Sequence, residues 1–388
     1  MNNAIRLKPG REKSMLNRHP WIFSGGIQSV VGSPEPGEVV EIQSSVGQRL
    51  GSAFYNAHSQ ISLRVITDAP AGPLDRTFWM HRLDQCLSRR SRVRQTTNAF
   101  RVVFGESDGF PGLVIDVLAD IVVVQLSSLG VEGLREIIQD WIVLNFNPAA
   151  IIERSESSSL RAEGMNPRQE LWWGTTSGAV EINEGSLRYL ADPVQGQKTG
   201  FFIDQRDNRR RVAELGSKSL LNLFSYSGGF TVPAALNGAS TVSVDSSEPA
   251  LALVHENLTL NGLELASHET IADDVFEFLR QHSAQYEMVI VDPPAFVKRR
   301  TDVDKAARAY KDVNRLALKR VLPGGYMLTC SCSQFVDWTL FRQILFAAGV
   351  ESGRDVQVVG QFTQPEDHPV SLYFPEGEYL KTALLRVF

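Results

Sequence analysis

The sequence predicts an α/β protein: a doubly wound sheet in the C-terminal half, behind an N-terminal β-rich barrel and a central α+β region. Three observations predict it. From about residue 186 onward, short apolar runs alternate with helical patterns, the rhythm of a parallel sheet with crossover helices. Before about residue 78 the apolar residues alternate singly, as in half-buried strands, and Gly and Pro clusters punctuate them. The third is length, because 388 residues are too many for one ordinary core. The expected domains are 1–78, 79–185 and 186–388.

The elements follow in order. In the first module the runs 38–42 and 61–66 have the period of strands, and Trp21 and Phe23 alternate as core residues do. A Pro-rich segment at 68–73 ends the module. A helix is expected over 77–95, with arginines on its last turns, where the helix dipole favours them. The central region reads as strands at 113–116 and 121–126, an amphipathic helix at 131–145 and a polar loop at 155–159. It carries no residue set with obvious chemistry and reads as a spacer. In the last region strands at 219–224, 241–244, 288–291 and 326–329 precede helices at 230–237, 249–261, 306–322 and 338–348. In the third of these helices Ala306, Tyr310, Val313, Ala317 and Val321 recur at helical spacing.

Composition narrows the function. The chain is 43% hydrophobic and 21% charged, which suits a soluble globular protein, and its formal net charge of -5 argues against a generic polyanion binder. The longest apolar stretch, 113–126, is interrupted by Asp116 and Asp120, so no membrane span is expected. Arg6, Lys8, Arg11 and Lys13 open the chain without an apolar signal segment. Three cysteines, Cys86, Cys330 and Cys332, make no disulfide framework and suit a reducing, cytoplasmic setting. A metal site is not expected, since Cys330 and Cys332 have no second pair nearby. Three basic clusters remain: Arg89, Arg90, Arg92 and Arg94; Arg209, Arg210 and Arg211; Lys298, Arg299 and Arg300. Each is a solvated face or a phosphate contact, and together they point toward a polyanionic substrate.

The chemistry-bearing residues lie at strand ends, where ligands bind in open α/β sheets. The run ending at Phe224 is followed by Ser225-Tyr226-Ser227-Gly228-Gly229, a small-residue turn opening a helix. Such a turn lets backbone approach a ligand. It lacks G-x-G-x-x-G, so a pyrophosphate ligand is disfavoured. Asp245 closes the next run, placed to accept both ribose hydroxyls, and Asp274 precedes a helix, placed to accept an adenine amino group. Helix capping is the alternative for each. Asp292-Pro293-Pro294 closes the third run and Cys330-Ser331-Cys332 the fourth. Taken in order, the Gly turn, Asp245, Asp274 and Asp292 suit an adenosine ligand without phosphates, namely S-adenosylmethionine.

A carboxylate and a thiol beside that ligand suit methylation of a pyrimidine carbon. A thiolate attacks C6 of cytosine, C5 takes a methyl group, a base removes the C5 proton and the thiol leaves. Cys332 and Asp292 fit the nucleophile and the acid that hydrogen-bonds the ring. Structural burial is the alternative for either cysteine. A thiol of ordinary pKa near ~8.5 needs an electropositive site, and Lys298, Arg299 and Arg300 are close in sequence. They, with Pro293, Pro294 and Phe296, form the expected substrate side.

Several motifs carry a resemblance. They are His19 to Gly25, Gly105 to Gly112, Lys198 to Asp207, Asn222 to Phe230, Asp292-Pro293-Pro294, Ser331-Cys332-Ser333, Asp367-His368-Pro369 and Tyr379-Leu380-Lys381. In this order they resemble the bacterial large-subunit ribosomal RNA cytosine-C5 methyltransferase I family over essentially the whole chain. The resemblance implies an N-terminal PUA domain, a central domain and a class I methyltransferase domain. It implies S-adenosylmethionine as donor and a cytosine of 23S rRNA as acceptor. It assigns Cys332 as nucleophile and Asp292 to the fourth methyltransferase motif. It places Gln205 and Arg206, with Phe224, Ser225, Tyr226 and Gly228, on the cofactor side; helix entry with Asp204 as cap is the alternative for the 198–207 stretch. Asn222 stands where other methyltransferases carry an acid. Two rival functions stay open: an exocyclic-amine methyltransferase, and a non-catalytic RNA-binding or assembly factor. Monomer and homodimer are both open.

Overall fold

The structure, a computed structural model, describes residues 3–69, 72–156, 160–176, 178–297 and 300–388. Two compact units emerge. The first contains residues 1–182, 191–203 and 366–377; the second contains 183–190, 204–365 and 378–388.

The first unit carries two sheets. One has six strands, in the spatial order Trp21–Ile22, Leu63–Thr67, Arg49–Tyr55, Val39–Gln43, Ala4–Leu7 and Ile27–Val31. Ile5, Leu7, Val40, Ile42 and Leu63 close its core, as the single alternation requires. Trp21 is half-buried and its indole N–H donates to Glu106 at 2.7 Å. Phe23 is 52% exposed, against the core position expected for it, because the strand stops at Ile22 and the alternation stops with it. The other sheet has five strands, ordered Arg168–Gly174, Ala150–Ser155, Ile121–Leu126, Leu113–Leu118 and Ala99–Phe104. Helices Arg76–Arg89, capped by Asp75, and Arg135–Phe146 contribute Trp79, Leu83, Ile138 and Trp141 to its core. The expected loop at 155–159 begins inside a strand at Ser155, and residues 157–159 lie outside the described residues.

The second unit is built on a seven-stranded sheet. In chain order its strands are Ser219–Leu223, Ser240–Asp245, His268–Ala272, Tyr286–Val291, Val321–Ser331, Val356–Phe362 and Lys381–Val387. Their spatial order is 3-2-1-4-5-7-6. The first five are parallel, as the alternation predicts, and the seventh runs antiparallel between the fifth and sixth. Both faces are covered. Leu221, Leu223, Val289, Val291 and Met327 pack with Phe278, Tyr310 and Phe341 on one side. Leu220, Met288, Ile290, Leu328 and Cys330 pack with Val212, Phe230 and Ala234 on the other. Burial on both faces is why these strands read as continuous apolar runs.

Boundaries differ from the sequence reading in both units: in the first, the helix expected over 77–95 spans Arg76–Arg89 and the one expected over 131–145 spans Arg135–Phe146. In the second, the helix expected over 306–322 is Val303–Leu318, and Val321 belongs to the fifth strand, which also takes in Pro323-Gly324-Gly325. A register shift opposite Tyr286 and Met288 absorbs the Pro-Gly-Gly segment. No helix among the described residues is long and apolar enough to cross a membrane.

Candidate active site

Register brings the expected residues to one edge. Leu223 pairs with Val244 and with Val291, Val244 with Ile271, and Val291 with Thr329. The residues just past these positions are Phe224 to Gly228, Asp245, Asp273-Asp274, Asp292 to Pro294 and Cys330 to Cys332. All therefore lie at the carboxyl edge of the parallel strands, where such sheets bind ligands.

The Gly turn is tightly determined. Phe224 and Tyr226 adopt left-handed backbone at φ 57° and 46°, and Gly228 at 77°. For non-glycine residues this costs free energy and marks functional turns. Ser225 N–H donates to the Val244 carbonyl at 3.0 Å, and Tyr226 N–H to Asp245 Oδ2 at 2.8 Å. Asp245 Oδ1 accepts from Ser247 N–H at 3.0 Å. Its carboxylate is thus oriented by two backbone donors while each oxygen keeps a second acceptor site. From behind, Tyr189 donates to the Gly229 carbonyl at 3.1 Å and Asn257 to the Ser227 carbonyl at 2.8 Å. Asp274 caps helix Val275–Gln281, its Oδ1 accepting from Phe276 N–H and Glu277 N–H. The capping alternative is realised, with the side chain exposed at the edge.

An adenosine-bearing ligand fits this cradle. Among the described residues, Ser225 Oγ and Asn222 Oδ1 are buried and find no hydrogen-bond partner, a cost usually offset by a ligand or water. A Cβ on Gly228 would stand 3.0 Å from Val254 Cγ1, so a side chain there would press on Val254, and the positive φ strains it further. Asn222 itself is 1% exposed and donates to Thr231 Oγ1 at 3.0 Å, which shares a 2.7 Å hydrogen bond with Ser243 Oγ. The expected acid is replaced by a neutral, buried trio.

The thiols and Asp292 occupy distinct surroundings. Cys330 points into the face lined by Leu328 and Leu384, is fully buried, and burial pushes its thiol well above the ordinary range. Gln205 donates to Asp292 Oδ2 at 3.0 Å and to Cys330 Sγ at 3.5 Å. Its own Oε1 accepts from Asn208, which also donates to Thr382 Oγ1 at 3.0 Å. Asn208 and Thr382 were not foreseen. Cys332 follows the last residue of the strand and is half-exposed, so it does not share the burial of Cys330. Beside it, Lys381 Nζ donates to the Ser333 carbonyl at 2.8 Å and to the Tyr379 carbonyl at 2.6 Å. Burial pulls the Lys381 ammonium down to about 8, while Cys332, Glu378 and Asp337 favour its charge. Tyr310 shares a 2.9 Å hydrogen bond with Ser333 Oγ, and burial pushes its phenol up to about 12.

On the substrate side, Pro293 is buried and Pro294 exposed. Phe296 is half-buried in a ring cluster, 4.7 Å from Tyr310, 6.2 Å from Phe276 and 6.4 Å from Phe224 between centroids. Arg300 is exposed in a short turn of 3-10 helix, and Lys298 and Arg299 lie outside the described residues. Arg206 is half-buried at the first position of helix Arg206–Leu215.

Two members of the basic clusters are structural. Arg209 is 2% exposed and paired with Glu184, and Arg90 is 1% exposed and paired with Asp108. Neither phosphate contact nor solvated face describes them. Their carboxylate partners are 25 and 18 residues away, out of reach of any local pattern. Among the described residues no group of His, Cys, Asp or Glu could hold a metal ion.

Sheet order, Gly turn and strand-end acids define a class I S-adenosylmethionine-dependent methyltransferase. The description "S-adenosylmethionine-dependent methyltransferase" matches residues 160–369, and "PUA-like domain" matches residues 5–68. The ribosomal RNA large subunit methyltransferase I of Aeromonas salmonicida is 39% identical, and that of Yersinia pestis 40%, each over 100% of both chains. The chain belongs to this ribosomal RNA large subunit methyltransferase I family. Its fold is that of a candidate methyltransferase solved in complex with SAH, with 22% identity, 99% of both chains covered and a TM-score of 0.84. A second solved structure, a candidate SAM-dependent methyltransferase from Streptococcus mutans, has 22% identity, 99% coverage of both chains and a TM-score of 0.83. The cofactor is S-adenosylmethionine.

Proposed function

We propose that this protein methylates C5 of a cytosine in 23S ribosomal RNA through a covalent bond between Cys332 and C6. The single observation that carries this reading is the pair of neighbouring strand ends. Val291 and Thr329 are in register, so Asp292 and the 330–332 segment emerge side by side. Of the two thiols there, Cys332 is the accessible one. Asp245 and Ser225 would hold the ribose and turn side of the cofactor, whose sulfonium supplies the methyl group. Asp292, steadied by Gln205, would hydrogen-bond the cytosine ring as Cys332 Sγ attacks C6. The C5 proton then leaves to a base and the C6–S bond breaks, which restores the thiolate.

The ring cluster around Phe296 supports carbon over exocyclic-amine methylation. A Phe side chain packed on Tyr310 and Phe276 is engaged by protein, whereas amine methylation would call on it to stack the base. The names of the relatives support ribosomal RNA as substrate. The test is mass spectrometry of nucleosides from 23S rRNA methylated by the full-length protein. We expect 5-methylcytidine from wild type, none from Cys332→Ala and retained product from Cys330→Ala. N-methylcytidine, or full activity of Cys332→Ala, would overturn the reading.

A further inference from the structure

We propose that Lys381 is a positioning residue for the nucleophile: its buried ammonium fixes the segment that carries Cys332 and supplies the positive charge that holds Cys332 as a thiolate. This rests on the proposed role of Cys332. Lys381 opens the seventh strand and stands opposite Ser331, the last residue of the fifth strand. It is 3% exposed. A buried ammonium is expensive unless it is hydrogen-bonded and faces negative charge. Two of its three N–H groups go to backbone carbonyls, those of Ser333 and Tyr379. The first of these belongs to the residue immediately after Cys332. The ammonium therefore clamps the chain just where it leaves the strand and the thiol leaves the apolar face that buries Cys330.

Among the described residues, the groups seen to contact this segment and its neighbours are acidic or neutral. Tyr310 reaches Ser333 Oγ from helix Val303–Leu318. Asp337 caps helix Trp338–Ser352, and Glu378 accepts from the Trp338 indole. Asp292 faces Cys330 through Gln205. Asp292, Asp337 and Glu378 oppose ionisation of a nearby thiol, and among the described residues Lys381 is a cation set against them. Loss of the thiol proton to water leaves the ammonium unchanged and creates an ion pair. The Lys381 charge is present below about 8 and fades above it, so the assistance is strongest near neutral pH.

The test is alkylation of the full-length protein by iodoacetamide across pH 5.5–10, with Cys332 read by tandem mass spectrometry to separate it from Cys330. Wild-type Cys332 should titrate below the ~8.5 of a free cysteine. Lys381→Gln keeps a donor for the carbonyls and removes the charge; it should raise the midpoint by about one unit and slow alkylation at pH 7 roughly tenfold. Lys381→Arg should restore the wild-type midpoint. A wild-type midpoint at or above ~8.5 overturns the proposal, and this arm needs no variant. An unchanged midpoint in Lys381→Gln that still binds SAH overturns it as well. RNA is absent from the assay, so failure here is separate from failure of the cytosine reading, which Cys332→Ala decides.

Discussion

Gly228 and Gly229 show how two adjacent residues of one type carry different constraints. Gly228 is left-handed at φ 77°, and an added Cβ would meet Val254 at 3.0 Å. Gly229 has no such backbone requirement, and its Cβ would meet Arg209 side-chain atoms at 3.4 Å, an ordinary contact. We therefore expect Gly228→Ala to lose roughly 1–2 kcal/mol from backbone conformation alone. It should also weaken SAH binding in titration calorimetry, with Gly229→Ala close to wild type in both. Equal effects at the two positions would mean that the turn is not determined as described. The glycines were visible in the sequence as a turn; their inequality depends on Val254 and Arg209, which only the packing reveals.

At the scale of elements, Asp274 serves helix Val275–Gln281 as its N-cap, and the same carboxylate is the candidate acceptor for the adenine amino group. Substitution can separate the two roles. Asp274→Ala should cost about 1 kcal/mol in denaturant unfolding through loss of the cap. Asp274→Ser keeps a cap; it should restore stability yet bind S-adenosylmethionine more weakly than wild type. If Ser restores affinity as well, the residue acts only as a cap. The first, second, fourth and fifth strands were legible as apolar runs, since both faces of the sheet are covered. The third, His268–Ala272, and the sixth, Val356–Phe362, went unrecognised: most of their residues are exposed or half-exposed, and neither forms an apolar run. The seventh, Lys381–Val387, is almost wholly buried, but it pairs with residues 50 (Ser331 with Lys381) to 62 (Gly325 with Val387) positions earlier across the sheet and no local signal announces that. Val321 was misplaced because it lies four residues after Ala317, and helical spacing carried across a boundary that the Pro-Gly-Gly segment had already set. The candidate residues at the strand ends were legible in the sequence. Thr382 and Lys381 were not recognised as parts of the candidate site, because their partners Asn208 and Ser333 lie far away in sequence; Asn208 is three residues from Gln205, but its link to Thr382 spans most of the unit's sequence.

Along the chain the two units are interleaved. Residues 366–377 belong to the first unit although they follow most of the second. Asp367 is fully buried there and accepts from Arg101 N–H at 3.0 Å; its own carbonyl accepts from Arg90, which pairs with Asp108. An Asp367→Ala variant of the full chain should therefore lose hydrogen-exchange protection in strand Ala99–Phe104, far away in sequence. Unchanged protection there would show that the strand does not depend on that segment.

The seventh strand carries a consequence for the protein's own synthesis. Residues 205–332, with the turn, the acids and both site thiols, are translated before the strand that must slot between the fifth and sixth. A nascent chain can collapse around its early strands, but the gap stays open until residue 387 has emerged from the exit tunnel. Lys381 arrives in the same stroke. On the roles proposed for Cys332 and Lys381, a half-made chain would hold its sulfur without the neighbouring ammonium, and the thiol would gain that activation only once synthesis of this strand is finished.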